Sequence, residues 1–190
     1  MTDGTDHYCF FDTAIGQCGI AWSERGLTRL QLPEKDQVAA ERRLKSRSPN
    51  AEPAVPPPEI AQPIQDIQLY LTGSRVDFAP VMLDLDGVNA FNQTIYELLR
   101  AIGWGQTTTY GELARRAGSP DAARAVGQAM GSNPIPIIIP CHRVLAAGRR
   151  IGGFSAYGGI ITKERLLELE GVGPDAPLLP LFSSTESRWG

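Results

Sequence analysis

Three short runs rich in apolar and aromatic residues, bounded by turn-rich pieces, stand close to the amino end. These are Tyr8-Cys9-Phe10-Phe11, Cys18-Gly19-Ile20-Ala21-Trp22 and Leu27-Thr28-Arg29-Leu30-Gln31-Leu32. The turn-rich pieces Ile15-Gly16-Gln17 and Ser23-Glu24-Arg25-Gly26 separate them, so the pattern predicts an antiparallel meander of three strands. A helical pattern follows over about residues 35 to 47. Prolines at 49, 53, 56, 57, 58 and 63 then mark a loop too stiff and too poor in apolar residues to be core. A short helix near Ile64 to Leu71 and a strand near Val76 to Leu85 are expected to complete a small α/β unit.

From residue 88 the pattern is mainly helical. Phe91, Ile95, Leu98, Leu99 and Ile102 recur at helical spacing and mark one buried stripe. Thr109 with Glu112 three residues on is a capping-box signature, for a helix running to Ala117 and stopped by Gly118. Ser119-Pro120 reads as an N-cap and first-turn proline for a second helix ending near Met130, which makes a helix-turn-helix with a two-residue joint. The run Ile135-Pro136-Ile137-Ile138-Ile139 reads as a short buried strand ended by Pro140. Thr162 is expected to cap a last helix carrying Leu166, Leu167 and Leu169, which Gly171 ends after Glu170. The fold class is therefore α/β (α+β). A small amino-terminal antiparallel-sheet domain (1–87) precedes a mainly helical domain (88–172), whose helix-turn-helix is followed by a short strand leading to Cys141. Residues 173–190 contain three prolines and read as a tail.

Composition excludes more than it selects. The 190 residues are 42% hydrophobic and 21% charged, which fits a soluble globular chain of one or two domains. No apolar run approaches membrane-spanning length, and the polar start Met1-Thr2-Asp3-Gly4 is unlike a signal peptide. Cysteines at 9, 18 and 141 form no disulfide framework, so the cytoplasm is the expected compartment. His7, Cys9 and Cys18 fit no common zinc spacing, and no metal or other cofactor is expected. The net charge of −3 conceals an asymmetry: residues 1–87 carry a net −5 and residues 88–170 a net +3. Arg115, Arg116, Arg124, Arg143 and Arg149 belong to that basic half, which suggests phosphate contact or simply a solvated basic face.

Chemistry converges on Pro140-Cys141-His142-Arg143. A thiol beside an imidazole is a nucleophile next to its base, although a cysteine in an apolar run can equally be a small core residue. Glu170 would supply the orienting acid if folding brings it beside His142. In the second helix of the helix-turn-helix, Ala122, Ala123, Ala125, Gly127 and Ala129 are small and Arg124 is the lone cation. Such a face can pack in the core or press into a DNA groove with the arginine reaching between base pairs. Gly148, Gly152, Gly153, Gly158 and Gly159 surround Phe154, Ser155 and Tyr157, a loop that permits close backbone approach to a ligand.

These pieces together resemble one family. Tyr110-Gly-Glu-Leu-Ala, Ala122-Ala-Arg-Ala-Val-Gly-Gln-Ala-Met and Asn133-Pro-Ile-Pro-Ile-Ile-Ile-Pro-Cys-His-Arg-Val are similar in order and spacing to the methylated-DNA–protein-cysteine methyltransferases, the O6-alkylguanine-DNA alkyltransferases. The match covers about residues 88–172, and residues 1–87 are compatible with the family's variable RNase H-like domain. The resemblance implies that Cys141 accepts an alkyl group, with His142 as base through a water and Glu170 orienting it. It implies that Asn133 is the hinge residue, that Arg124 enters the vacated base stack, and that Tyr110 donates to the guanine ring. Ser155, Met130 and the backbone at Val144 would line the base pocket. The partner implied is double-stranded DNA carrying O6-alkylguanine, acted on by a monomer without membrane or obligate protein partner. Each molecule would react once, because the thioether product has nothing here to cleave it. A turning-over cysteine hydrolase or transferase is the main rival. A damage-recognition module without chemistry or a plain helix-turn-helix regulator would leave Cys141 without a task.

Overall fold

The computed structural model describes residues 6–173, and the tail expected at 173–190 lies outside them except for its first residue. Strands β1 (His7–Thr13), β2 (Gly16–Ser23) and β3 (Gly26–Gln31) form the expected meander, with Cys9 opposite Ile20 and Ile20 opposite Leu30. Alternation along β1 sends Tyr8 and Phe10 to one face, where Ala21, Ala51 and Leu44 of helix α1 (Gln37–Arg47) cover them. Cys9 and Phe11 point to the other face and the main core. Gly19 makes that packing possible, because a Cβ there would lie 2.8 Å from the Phe10 ring and 3.0 Å from Leu44. Asp36 caps α1 by accepting from the Ala39 amide at 2.7 Å.

Two expectations for the amino-terminal half need correction. The proline-rich stretch is not all loop: Glu52–Pro53 forms β4, parallel to β1, and helix α2 (Pro58–Leu71) begins six residues before Ile64. Pro58 sits at the first helical turn, where its missing N–H costs nothing, and Ile60, Pro63, Ile64 and Ile67 are buried. The strand expected over 76–85 is absent. Pro80 withholds a donor in mid-run, and only Leu83 bridges to Leu27, on the edge of β3.

Helix α3 (Ala90–Arg100) buries Ile95, Tyr96 and Leu99 as its stripe requires. A two-residue strand β5 (Thr108–Thr109) leads into α4 (Tyr110–Arg116), and the Thr109 hydroxyl accepts from the Glu112 amide at 3.2 Å. Gly118 (φ 73) ends the helix: its amide and that of Ser119 close back onto Arg115 and Ala114. The helix-turn-helix joint is longer than two residues, because Ser119-Pro120 makes a turn instead of a cap and α5 starts at Ala123 (Ala123–Gly131).

The run 135–139 is buried but is not a strand. Prolines at 134, 136 and 140 remove three of the seven backbone donors over 134–140 that a ladder would draw on, so the chain coils through turns. Ile137 takes a positive φ of 72, and the Ile139 amide reaches the Ile135 carbonyl at 2.9 Å. The short strand of this region, β6 (Val144–Leu145), lies after Cys141 and pairs parallel with β5. Helix α6 (Ile160–Leu169) closes the fold. Its cap is Gly159, while the Thr162 hydroxyl donates to the Tyr157 carbonyl at 2.7 Å. One core runs through both halves, joining Ile20, Leu27, Ile67 and Tyr70 to Leu99, Leu113, Ile138 and Cys141. No helix among the described residues is long and apolar enough to cross a membrane.

Candidate active site

Cys141 stands where the turn-rich run ends. Its amide donates to the Ile139 carbonyl at 2.8 Å across Pro140 (φ −79, ψ 66), a tight turn that feeds a single 3-10 turn over Cys141–Arg143. The segment is braced by Asn133, whose amide nitrogen donates to the Ile139 carbonyl at 2.8 Å while its oxygen accepts from Ile135 at 3.0 Å. The Asn133 backbone amide in turn donates to Met130 at the end of α5, at 3.3 Å. The helix-turn-helix and the thiol are therefore mechanically joined through one side chain.

Behind the cysteine, His142 is fully buried and its Nε2 lies 2.8 Å from Oε1 of Glu170. A carboxylate only accepts, so Nε2 carries the proton and Nδ1 keeps the lone pair. Nδ1 is buried with no hydrogen-bond partner among the described residues. Glu170 is a hub. Besides His142 it accepts from the Tyr70 hydroxyl at 2.7 Å, from Arg143 Nε at 2.9 Å and Arg143 Nη2 at 2.8 Å, and from the Gly105 amide at 3.1 Å. Burial pushes the Glu170 carboxyl up, but the hydrogen bonds from His142 and Arg143 and the Arg143 charge outweigh it and hold the pKa at about 2. Burial lowers His142, against the pull of Glu170 and with help from Arg143 and Lys163, so the imidazole is neutral and able to accept a proton. Burial raises the Cys141 thiol, partly offset by the Asn133 hydrogen bond and the Lys163 charge. The resting site is thus a thiol beside a neutral base.

Two cavities meet at Cys141. One is lined by Tyr110, Gly127, Met130, Gly153, Phe154 and Ser155, so α4, α5 and the glycine loop face the thiol together. Tyr110 is half-buried, with its hydroxyl raised by burial and by the nearby cysteine, and the loop passes so close that a Cβ on Gly152 would sit 3.0 Å from that oxygen. The second cavity opens toward the amino-terminal half and includes Asn133, Arg29, Arg43 and Arg47. Val144 lines neither: it is buried, its amide closes the 3-10 turn and its carbonyl accepts from Lys163 Nζ at 2.5 Å. Arg124 is exposed on α5, whose inner side buries Val126, Ala129 and Met130. The small residues of that helix therefore serve the core on one side and leave the cation outside.

Residue-by-residue reading missed three groups. Arg143, grouped above with candidate phosphate ligands, is buried and pairs with Glu170, so it does not belong with them. Tyr70 reaches the hub from α2, a long-range contact that no local pattern announces. Lys163 is fully buried, lies 6.0 Å from the Tyr110 ring centroid, and is held at about 8 chiefly by burial. Its signal was available: Lys163, Leu166, Leu167 and Glu170 fall at i, i+3, i+4 and i+7, so two charges lie on the apolar stripe of α6. No group of three or more His, Cys, Asp or Glu among the described residues is placed to hold a metal ion.

Comparison with known proteins shows the family to which the chain belongs. The profile described as "6-O-methylguanine DNA methyltransferase, DNA binding domain" matches residues 90–172, and the "ribonuclease-like domain" of the same family matches residues 7–85. The chain belongs to the 6-O-methylguanine DNA methyltransferase family. Among curated members, the methylated-DNA–protein-cysteine methyltransferase of Mycobacterium bovis is 38% identical over 86% of this chain and 92% of its own length. That of Haemophilus influenzae is 37% identical over 87% of each. Among solved members, the Mycobacterium tuberculosis O6-methylguanine methyltransferase superposes with a TM-score of 0.71 at 36% identity, covering 90% of this chain and 96% of the other. The Mycobacterium tuberculosis OGT in complex with DNA gives 0.70 over 89% and 96%. The expected amino-terminal ribonuclease-like fold and carboxy-terminal DNA-binding fold of this methyltransferase family are both present.

Proposed function

We propose that this protein repairs DNA by taking the alkyl group from O6 of a guanine rotated out of the duplex, and that Cys141 keeps it. The observation that carries this reading is the thiol at the junction of an open cavity with a buried His142–Glu170 pair. An alkyl carbon on O6 is shielded in stacked DNA, and unstacking the nucleotide costs on the order of a few kcal/mol. In this reading Arg124, exposed on α5, fills the vacancy, and the cavity lined by Tyr110, Met130 and Ser155 receives the base. His142 Nδ1 takes the thiol proton, directly or across one water, while Glu170 fixes the tautomer and stabilises the imidazolium. Sulfur then attacks the alkyl carbon: the C–S bond forms, the C–O bond breaks, and the electron pair stays with guanine. Tyr110 donates a proton to the departing ring, which averts release of a free anion. A buried Lys163 cation near Cys141 and Tyr110 favours the thiolate as it forms.

The product is a thioether, which nothing at the site can hydrolyse, so each molecule acts once. The reading divides the work between residues 88–172, which bind DNA and transfer the group, and residues 1–87, which lend Tyr70 to the hub. It assigns a monomer acting on duplex DNA in the reducing cytoplasm, where the free thiols of Cys9, Cys18 and Cys141 persist. The Cys141→Ser variant tests it: retained binding to duplexes carrying O6-methylguanine with no transfer is the expected result. Transfer by that variant would overturn the assignment.

A further inference from the structure

The two cavities that meet at Cys141 share Gly131 at the end of α5 and Phe154 and Ser155 of the glycine loop, so this stretch of the loop forms the movable side of the partition between them. Phe154 packs against the core, but no hydrogen bond among the described residues anchors residues 151 to 155 except one. That one comes from the other half of the chain. Arg43 on α1 donates through Nη2 to the Ser155 carbonyl at 3.0 Å, and through Nη1 to Glu34 Oε1 at 2.8 Å. The fork holds the guanidinium from two sides, and Glu34 is largely buried, so the arginine is set before it meets the loop. Gly152, Gly153, Gly158 and Gly159 flank the partition and give it little stiffness of its own.

We propose that Arg43 is a specificity-determining positioning residue that holds the Phe154–Ser155 partition closed, restricting the space beside the sulfur to small alkyl groups. The inference rests on the transfer reaction above. The alkyl group of the incoming base lies between O6 and Sγ, against this partition, so a methyl fits the closed arrangement and a bulky group needs the second cavity. When the latch is released the cavities merge, and large groups gain room while a methylated base loses a wall.

The test is single-turnover transfer from O6-methylguanine and O6-benzylguanine in the same duplex sequence, for the wild type and for Arg43→Gln. The benzyl-to-methyl rate ratio is expected to rise about tenfold, the scale of one charge-assisted hydrogen bond. Glu34→Gln, which loosens the arginine without touching the loop, should raise it in the same direction by less. It carries the test alone if the Arg43 variant lacks a cooperative melt. A ratio unchanged within about twofold in a folded variant, or two rates that fall by one factor, overturns the inference and leaves the alkyl-transfer reading intact. A wild type that transfers neither group overturns that reading instead.

Discussion

Replacing Glu170 by Gln keeps the shape of the hub and removes its charge. In the native protein this carboxylate, 4% exposed, accepts from Tyr70, His142, Arg143 and Gly105. The variant leaves the Arg143 guanidinium, itself 7% exposed, without a counter-charge, and offers one carbonyl oxygen to donors that shared two. A depression from the ordinary 4.5 to about 2 corresponds to roughly 3 kcal/mol, within the range for breaking a buried pair from one side. The sign follows from the direction of the shift. A carboxyl depressed in the folded state contributes its full share above pH 4.5 and loses it as pH falls toward 2, so the advantage over the glutamine variant closes over that window. Urea unfolding of both proteins at pH 7, 4 and 3 measures it. The gap is expected to be about 3 kcal/mol at pH 7 and about half that at pH 3. A gap under about 0.5 kcal/mol at pH 7, or one that does not shrink on acidification, would refute the picture of Glu170 as a charged hub.

Three further outcomes follow from the same geometry. Because His142 is held below its ordinary 6.5 and Lys163 is charged below about pH 8, the transfer rate at saturating DNA should hold from pH 7 down past 6.5, and a half-loss centred at or above 6.5 would contradict the neutral buried base. Tyr110→Phe should bind alkylated duplex as before but transfer roughly 100-fold more slowly, and an unchanged single-turnover rate would remove the hydroxyl as proton donor. Lys163 is charged at a cost below about pH 8 and free of that cost above 10.5. Between pH 7 and 10.5 the wild type should therefore gain roughly 3 kcal/mol on Lys163→Met, read by urea unfolding, and a pH-independent difference would show that the ammonium is not desolvated.

What the sequence disclosed followed from where local chemistry and tertiary packing agree. The meander was legible because β1, β2 and β3 are short apolar runs bounded by the turns Ala14-Ile15 and Glu24-Arg25, and β2 is buried on both faces between α1 and the main core. Thr109 and Gly118 announced both ends of α4, since capping is a matter of a few neighbouring groups. Cys141, His142 and Glu170 stood out by type, and folding brings the last two together across 28 positions. Ile135 to Ile139 misled because a buried apolar run looks like a strand, whereas Pro134, Pro136 and Pro140 deny it a ladder. Pro58 and Pro63 misled in the opposite direction: one opens α2 and the other is tolerated within it, so a proline-rich stretch carries helix and core. Tyr70 and Arg143 could not be placed from sequence, because their roles exist only once two distant segments close on Glu170.

The central claim is that one sulfur takes an alkyl group from guanine and retains it. Intact mass and peptide mapping after incubation with excess O6-methylguanine duplex test this directly. The account predicts a gain of one methyl per molecule, carried by the peptide that contains Cys141, with an equal amount of guanine restored and no further reaction. An unmodified Cys141 after the DNA has been repaired, or more than one guanine restored per protein, would contradict it.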